Sequence, residues 1–210
     1  MPYDFKKEKL HRAGDRPEIV TVPPANYIAV RGRGDPNTID GAYQRALAVL
    51  YALAYTLKTS PRKGKAIPGF FDYVVPPLEG FWRQEGVDGA DYGRKADFHW
   101  ISVLRLPAFV TAADFAWAVE DAACRKKLDC SAAELLTVEE GLCVQMLHTG
   151  PFETEPETVK VMDAFLAEHG YVNDLTDRRL HHEIYLSDAR KITPDRWRTF
   201  LRHPIRKISP

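Results

Sequence analysis

Glu183 is the residue with which chemistry in this chain would begin. It sits in the stretch LHHEIYLSD, residues 180–188. At the two-residue period of a strand, His181, Glu183 and Tyr185 share one face, while Leu180, His182, Ile184 and Leu186 share the other. The second set is mostly apolar and suits packing under helices. The first holds a carboxylate between an imidazole and a phenol. Facing water, such a glutamate would be inert. Facing an aromatic-lined groove, it is a charge in a poor solvent, which takes up a proton or draws in a cation. Tyr185 can donate a hydrogen bond to Glu183 or to a ligand.

Glu79 is a second acidic candidate, placed in VVPPLEGFW between a proline pair and a glycine. That setting fits either a groove or an exposed turn. Aromatic side chains recur on the strand segments around it: Tyr27, Phe71, Tyr73, Phe81, Trp82, Phe98 and Trp100. Strand aromatics commonly fill cores, but Trp82 and Trp100 lie near a strand end or opposite the helix-covered face and are the foremost lining candidates. His148 and Phe152, in HTGPF, are further ones, whereas Trp117 and Trp197 read as packing. His181 and His182 cannot chelate one ion, because neighbours on a regular strand point to opposite faces. RGRGDP fits no phosphate-binding loop, and no base stands beside Cys143 in sequence. No metal and no cofactor are expected.

The elements that must position these residues follow from periodicity. Residues 1–17 read as a loose polar arm. EIVTV and NYIAVRGRG, broken by Pro23-Pro24, are extended, and a helix capped at Thr38 or Asp40 runs to about Leu57. Residues 70–82 form a strand interrupted at Pro76-Pro77, 85–95 a loop, and 97–106 another strand. Thr111 and Asp114 open a helix to about Leu128. The pattern then restarts: a strand at 142–149, a capping box at Thr154–Glu157, a helix ending at Gly170, LHHEIYLSD, and a last strand at 199–208. This is a strand-helix-strand-strand order met twice, predicting an α+β fold of two half-repeats, 18–130 and 138–208, within one domain 18–208. A groove between the halves is where a ligand would lodge.

Composition narrows the class. With 210 residues, 45% hydrophobic content and 11% aromatic content, the chain can bury a core. Lys plus Arg balances Asp plus Glu at 29 each, which argues against a nucleic-acid partner. No apolar run spans a membrane, no leader is visible, and three cysteines without metal spacing fit a reducing cytoplasm.

Five segments in register resemble the GyrI-like small-molecule-binding superfamily: VPPANYIAVRGRGDPN, VVPPLEGFW, DFHWISVLRLPAFVT, HTGPFETEPET and HHEIYLSDARKITPDRWRTFLRHPI. The resemblance implies a tandem strand-helix-strand-strand fold with a ligand groove, here as a stand-alone member. PPLEGFW further resembles a subgroup that hydrolyses cyclopropanoid genotoxins. By that match Glu183 lies in the pocket and Glu79 and Trp82 are candidates for it; in a hydrolase one glutamate would act as general base on water, with the other or Tyr185 assisting. Two functions are implied: a binder of hydrophobic or cationic aromatics with a detoxifying role, or a hydrolase opening cyclopropanoids by glutamate-assisted attack of water. Contact with DNA gyrase is not expected.

Overall fold

The computed structural model describes residues 1–8, 10, 14–87 and 90–208, so parts of the expected arm and of the 85–95 loop lie outside the described residues. Its strands are β1 (Glu18–Val22), β2 (Ala25–Arg33), β3 (Leu78–Gln84), β4 (Phe98–Arg105), β5 (Ala133–Val138), β6 (Gly141–Thr149), β7 (Tyr171–Asn173), β8 (His181–Tyr185) and β9 (Arg198–Lys207). Among the described residues three α-helices accompany them: α1 (Ala42–Lys58), α2 (Ala112–Lys126) and α3 (Glu155–His169). None is long and apolar enough to cross a membrane.

β2-α1-β3-β4 and β6-α3-β8-β9 repeat one order, so the α+β reading holds. All strands pair antiparallel along the path β1-β6-β9-β8-β3-β4-β2-β5, with β7 added beside β9. The halves meet where β3 pairs with β8, Gly80 opposite Glu183 and Trp82 opposite His181. β1 runs almost directly into β2, and β5 into β6. The same two extended stretches therefore carry both ends of the path, and the sheet curls back on itself.

One face of that sheet carries the helices. α1 packs on β2, β4 and α2, burying Leu50, Leu53 and Leu57 against Ile28, Trp100 and Leu104. α3 packs on β6 and β7, with Met162 and Leu166 against Val144, Leu201 and Ile205. The other face is enclosed by the curl: Tyr27, Ala29, Phe81, Val103 and Ile184 are all buried there. The helices thus cover the Glu183 face, not the Leu180–His182–Ile184 face expected to lie under them.

Local chemistry explains several departures. The prolines at 76 and 77 lack N–H donors, so regular pairing begins only at Leu78, and residues 70–77 hold a single bridge, Tyr73 to Tyr3. Gly41, not Thr38 or Asp40, caps α1. At α2 the Thr111–Asp114 capping box forms as expected. At α3 it does not, because the Thr154 hydroxyl donates to the Pro151 carbonyl at 2.7 Å. The described start of the arm is not loose: Phe5 is buried, edge-on to Tyr3 and Tyr73. β5, absent from the sequence reading, fills the second edge of β2.

Candidate functional site

The β3–β8 seam is the floor of a cleft of about 1660 Å³, flanked by Tyr43, Leu47 and Tyr51 of α1 and by Glu155 and Val159 of α3. Strand alternation turns Trp82, His181, Glu183 and Tyr185 into it. Glu183 is 8% exposed. Its Oε2 accepts from the Tyr185 hydroxyl at 2.7 Å, and its Oε1 lies 3.1 Å from His181 Nε2. The Tyr185 oxygen in turn accepts from Trp82 Nε1 at 3.0 Å. Gly80 makes this chain of contacts possible: a Cβ there would stand 2.5 Å from Trp82 Nε1 and 3.1 Å from the Tyr185 hydroxyl.

Glu155, at the start of α3, enters the same spot. Its Oε2 accepts from the Tyr92 hydroxyl at 2.9 Å, while its buried Oε1 has no partner among the described residues. Burial, followed by the negative charge of Glu183, raises its pKa well above the usual carboxylate range, and the Tyr92 bond only partly opposes this. Glu155 therefore holds its proton more tightly than a free carboxyl group does. Burial, followed by the Glu183 charge, likewise raises the Tyr185 phenol. One polar atom each of Glu155, His181 and Glu183 lie within 4.8 Å of one another. His181 and His182 do diverge as strand neighbours must; the group forms because Glu155 arrives from a helix.

The expected residues divide between the cleft and places outside it. Glu183, Tyr185, Trp82, Phe98 and Phe152 line the cleft. Glu79 does not. It belongs to the alternate set of β3, opposite Ile184 rather than Glu183, and faces the enclosed side. There its Oε2 meets His182 Nε2 at 3.0 Å, and His182 Nδ1 meets Glu140 Oε2 at 2.9 Å. Arg202 donates to Glu140 at 2.8 Å and to Gln145, closing a buried network above the stacked rings of Phe81 and His182. Tyr27 is buried on this side too. Trp100 lies across Gly32, whose Cβ would meet its ring at 2.2 Å, and fills the core under Tyr43. Tyr73 and Phe71 pack beside the arm with Phe109. His148 is buried against Thr158 and Pro151. These five, with Glu79, are structural neighbours of the cleft and not its lining.

Sequence reasoning missed Glu155, Tyr92, Tyr43 and Trp197, all of which line the cleft. Glu155 stood within HTGPFETEPET, where a helix start suggested capping. Trp197, read as packing, tilts against Phe152 with ring centroids 4.8 Å apart.

Residues 104–206 match the model of the GyrI-like small molecule binding domain. No curated protein matches the chain. A solved Listeria innocua protein named a hydrolase is 42% identical, covering 97% of this chain and 100% of its own, with a TM-score of 0.88. An uncharacterized conserved protein from Listeria innocua is similar at 43% identity, with 97% and 100% covered and a TM-score of 0.90. The C-terminal domain of EcmrR, 11% identical over 92% of this chain and 98% of its own, shares the fold at a TM-score of 0.55. With the whole fold aligned on such relatives and its C-terminal half on the domain model, the chain belongs to the GyrI-like small-molecule-binding family.

Proposed function

We propose that the cleft takes up a small molecule bearing aromatic rings and adds water to a strained electrophilic carbon in it, Glu183 acting as general base and Glu155 as general acid. The observation that carries this is two carboxyl groups in one buried spot with different surroundings. Glu183 accepts a hydrogen bond from Tyr185 there, whereas burial and the Glu183 charge raise the pKa of Glu155 and favour its proton. Glu183 takes a proton from water as the water oxygen bonds to a cyclopropane carbon. The ring C–C bond breaks, its electron pair moves into a conjugated carbonyl, and the carbonyl oxygen takes the proton from Glu155. The net change to the substrate is one added water, and passage of a proton from Glu183 back to Glu155 restores both groups. The unpartnered Glu155 Oε1 is the atom available to a ligand oxygen. Tyr185 positions Glu183, and Trp82 positions Tyr185.

Trp82, Phe98, Phe152 and Trp197 supply flat apolar walls, and ring strain supplies much of the driving force. The cyclopropanoid class rests on the resemblance of PPLEGFW, and hydrolysis is supported by the naming of the Listeria innocua relative. Incubation with an aromatic cyclopropanoid should yield a product one water heavier. Glu183→Gln and Glu155→Gln should each lower kcat by about 10²-fold or more with smaller effects on Kd. Full turnover in both variants would remove the mechanism. Capture of aromatic cations without turnover is the second reading, favoured by the rings around the Glu183 carboxylate.

A further inference from the structure

The hydrogen bonds behind Glu183 fix where protons sit, and so fix the charge a ligand meets. Asn173 Nδ2 donates to Asp163 Oδ1 at 2.6 Å, since the reverse orientation would set oxygen against oxygen. The Asn173 oxygen is then turned to His203 Nδ1, 3.3 Å away, and His203 carries its proton there. Burial, with the neighbouring His181, pushes the His203 pKa well down, so that ring is neutral and its Nε2 can only accept. His181 Nδ1 stands 2.6 Å from that nitrogen and must be the donor. The remaining contact, His181 Nε2 to Glu183 Oε1 at 3.1 Å, would set two acceptors face to face without a proton between them.

Glu183 and His181 therefore hold one proton jointly. With it on His181 Nε2, Glu183 keeps the carboxylate its role as base requires, and the pair sums to zero charge. Glu155 is buried within 4.8 Å of Glu183, and burial and that charge raise its pKa, which favours its neutral form; burial likewise raises the phenols of Tyr92, Tyr43 and Tyr185. At the rim, Lys95 pairs with Glu153, Arg83 with Asp177 and Arg190 with Asp188. We propose that the floor of the cleft carries no net charge and that its occupant is an uncharged aromatic molecule, not an organic cation. A cation entering it would lose hydration with no unbalanced negative charge to replace it. This rests on the reading of the cleft as a small-molecule site and decides between its two versions, because an internal imidazole already answers Glu183.

Two measurements test it. Nitrogen NMR of the imidazole rings in the free protein near neutral pH should find His203 protonated at Nδ1 alone and His181 protonated at Nδ1; a bare Nδ1 on either ring overturns the proposal. Calorimetry should then compare a stilbene carrying a para tert-butyl group with its isostere carrying para trimethylammonium. The wild type should hold the neutral member about tenfold more tightly or better, and His181→Gln, which strands the Glu183 charge, should shift the ratio about tenfold toward the cation. A wild type preferring the cation, or a ratio unmoved in the variant, refutes it. Turnover by the Glu155 and Glu183 variants is read separately, so loss of the hydrolase reading and loss of this one are distinguishable.

Discussion

At the scale of single residues, two glutamates of one strand pair meet opposite fates because alternation sends them to opposite faces. Glu183 works against a cleft; Glu79 is bound into a network with His182, Glu140 and Arg202. That network makes a pH signature. Burial disfavours the His182 cation, but Glu140 and Glu79 outweigh it and raise the pKa above 6.5. Its contribution is fully present below the unfolded value and is lost as pH rises through the raised folded one. For Glu140, burial is outweighed by His182 and Arg202, and its pKa falls to about 2 from 4.5. Its contribution is present above 4.5 and is lost as pH falls toward 2. Urea melts should accordingly find these contributions greatest between about pH 4.5 and 6.5; a curve still rising through neutral pH would contradict it. Replacing His182 with Leu leaves two buried carboxylates short of a partner and should cost about 3–5 kcal/mol.

At the scale of elements, the β3–β8 register is what assembles the site. It sets Gly80 across from Glu183 and lets Trp82 reach Tyr185 over the bare glycine. Gly80→Ala should push Trp82 and Tyr185 apart, lowering kcat while a circular dichroism melt stays close to that of the wild type; unchanged kinetics would show that the Trp82–Tyr185 contact does not steer Glu183. Gly32 serves packing instead. Gly32→Ala drives a methyl into the Trp100 ring and should destabilise by about 1–3 kcal/mol, read in urea, with little effect on ligand affinity. The paired result separates a glycine that shapes the cleft from one that shapes the core.

At the scale of the whole molecule, closure of the sheet gives one enclosed face and one helix-covered face, and the cleft opens only where α1 and α3 leave the seam uncovered. The described part of the N-terminal arm fastens to the first half through Phe5, Tyr3 and the 70–77 segment. Phe5→Ala should therefore cost about 3–5 kcal/mol, and a loss near zero in urea would return the arm to the loose state its polar sequence suggests. Of the four tryptophans, Trp82 and Trp197 line the cleft, so ligand-induced fluorescence changes should survive Trp100→Phe and shrink in Trp197→Phe.

Sequence periodicity alone determined the strand-helix-strand-strand order, the Thr111–Asp114 cap, the stop at Gly170 and the face shared by His181, Glu183 and Tyr185. Those are properties of residues near one another in the chain, where dihedral preference and alternation act. Only the tertiary structure decided that Glu155 joins Glu183, that Glu79 turns inward, and that Trp100 is core. Each depends on which strand or helix lies alongside and on which side, and a carboxyl group takes its charge from neighbours that the chain brings in from far along its length.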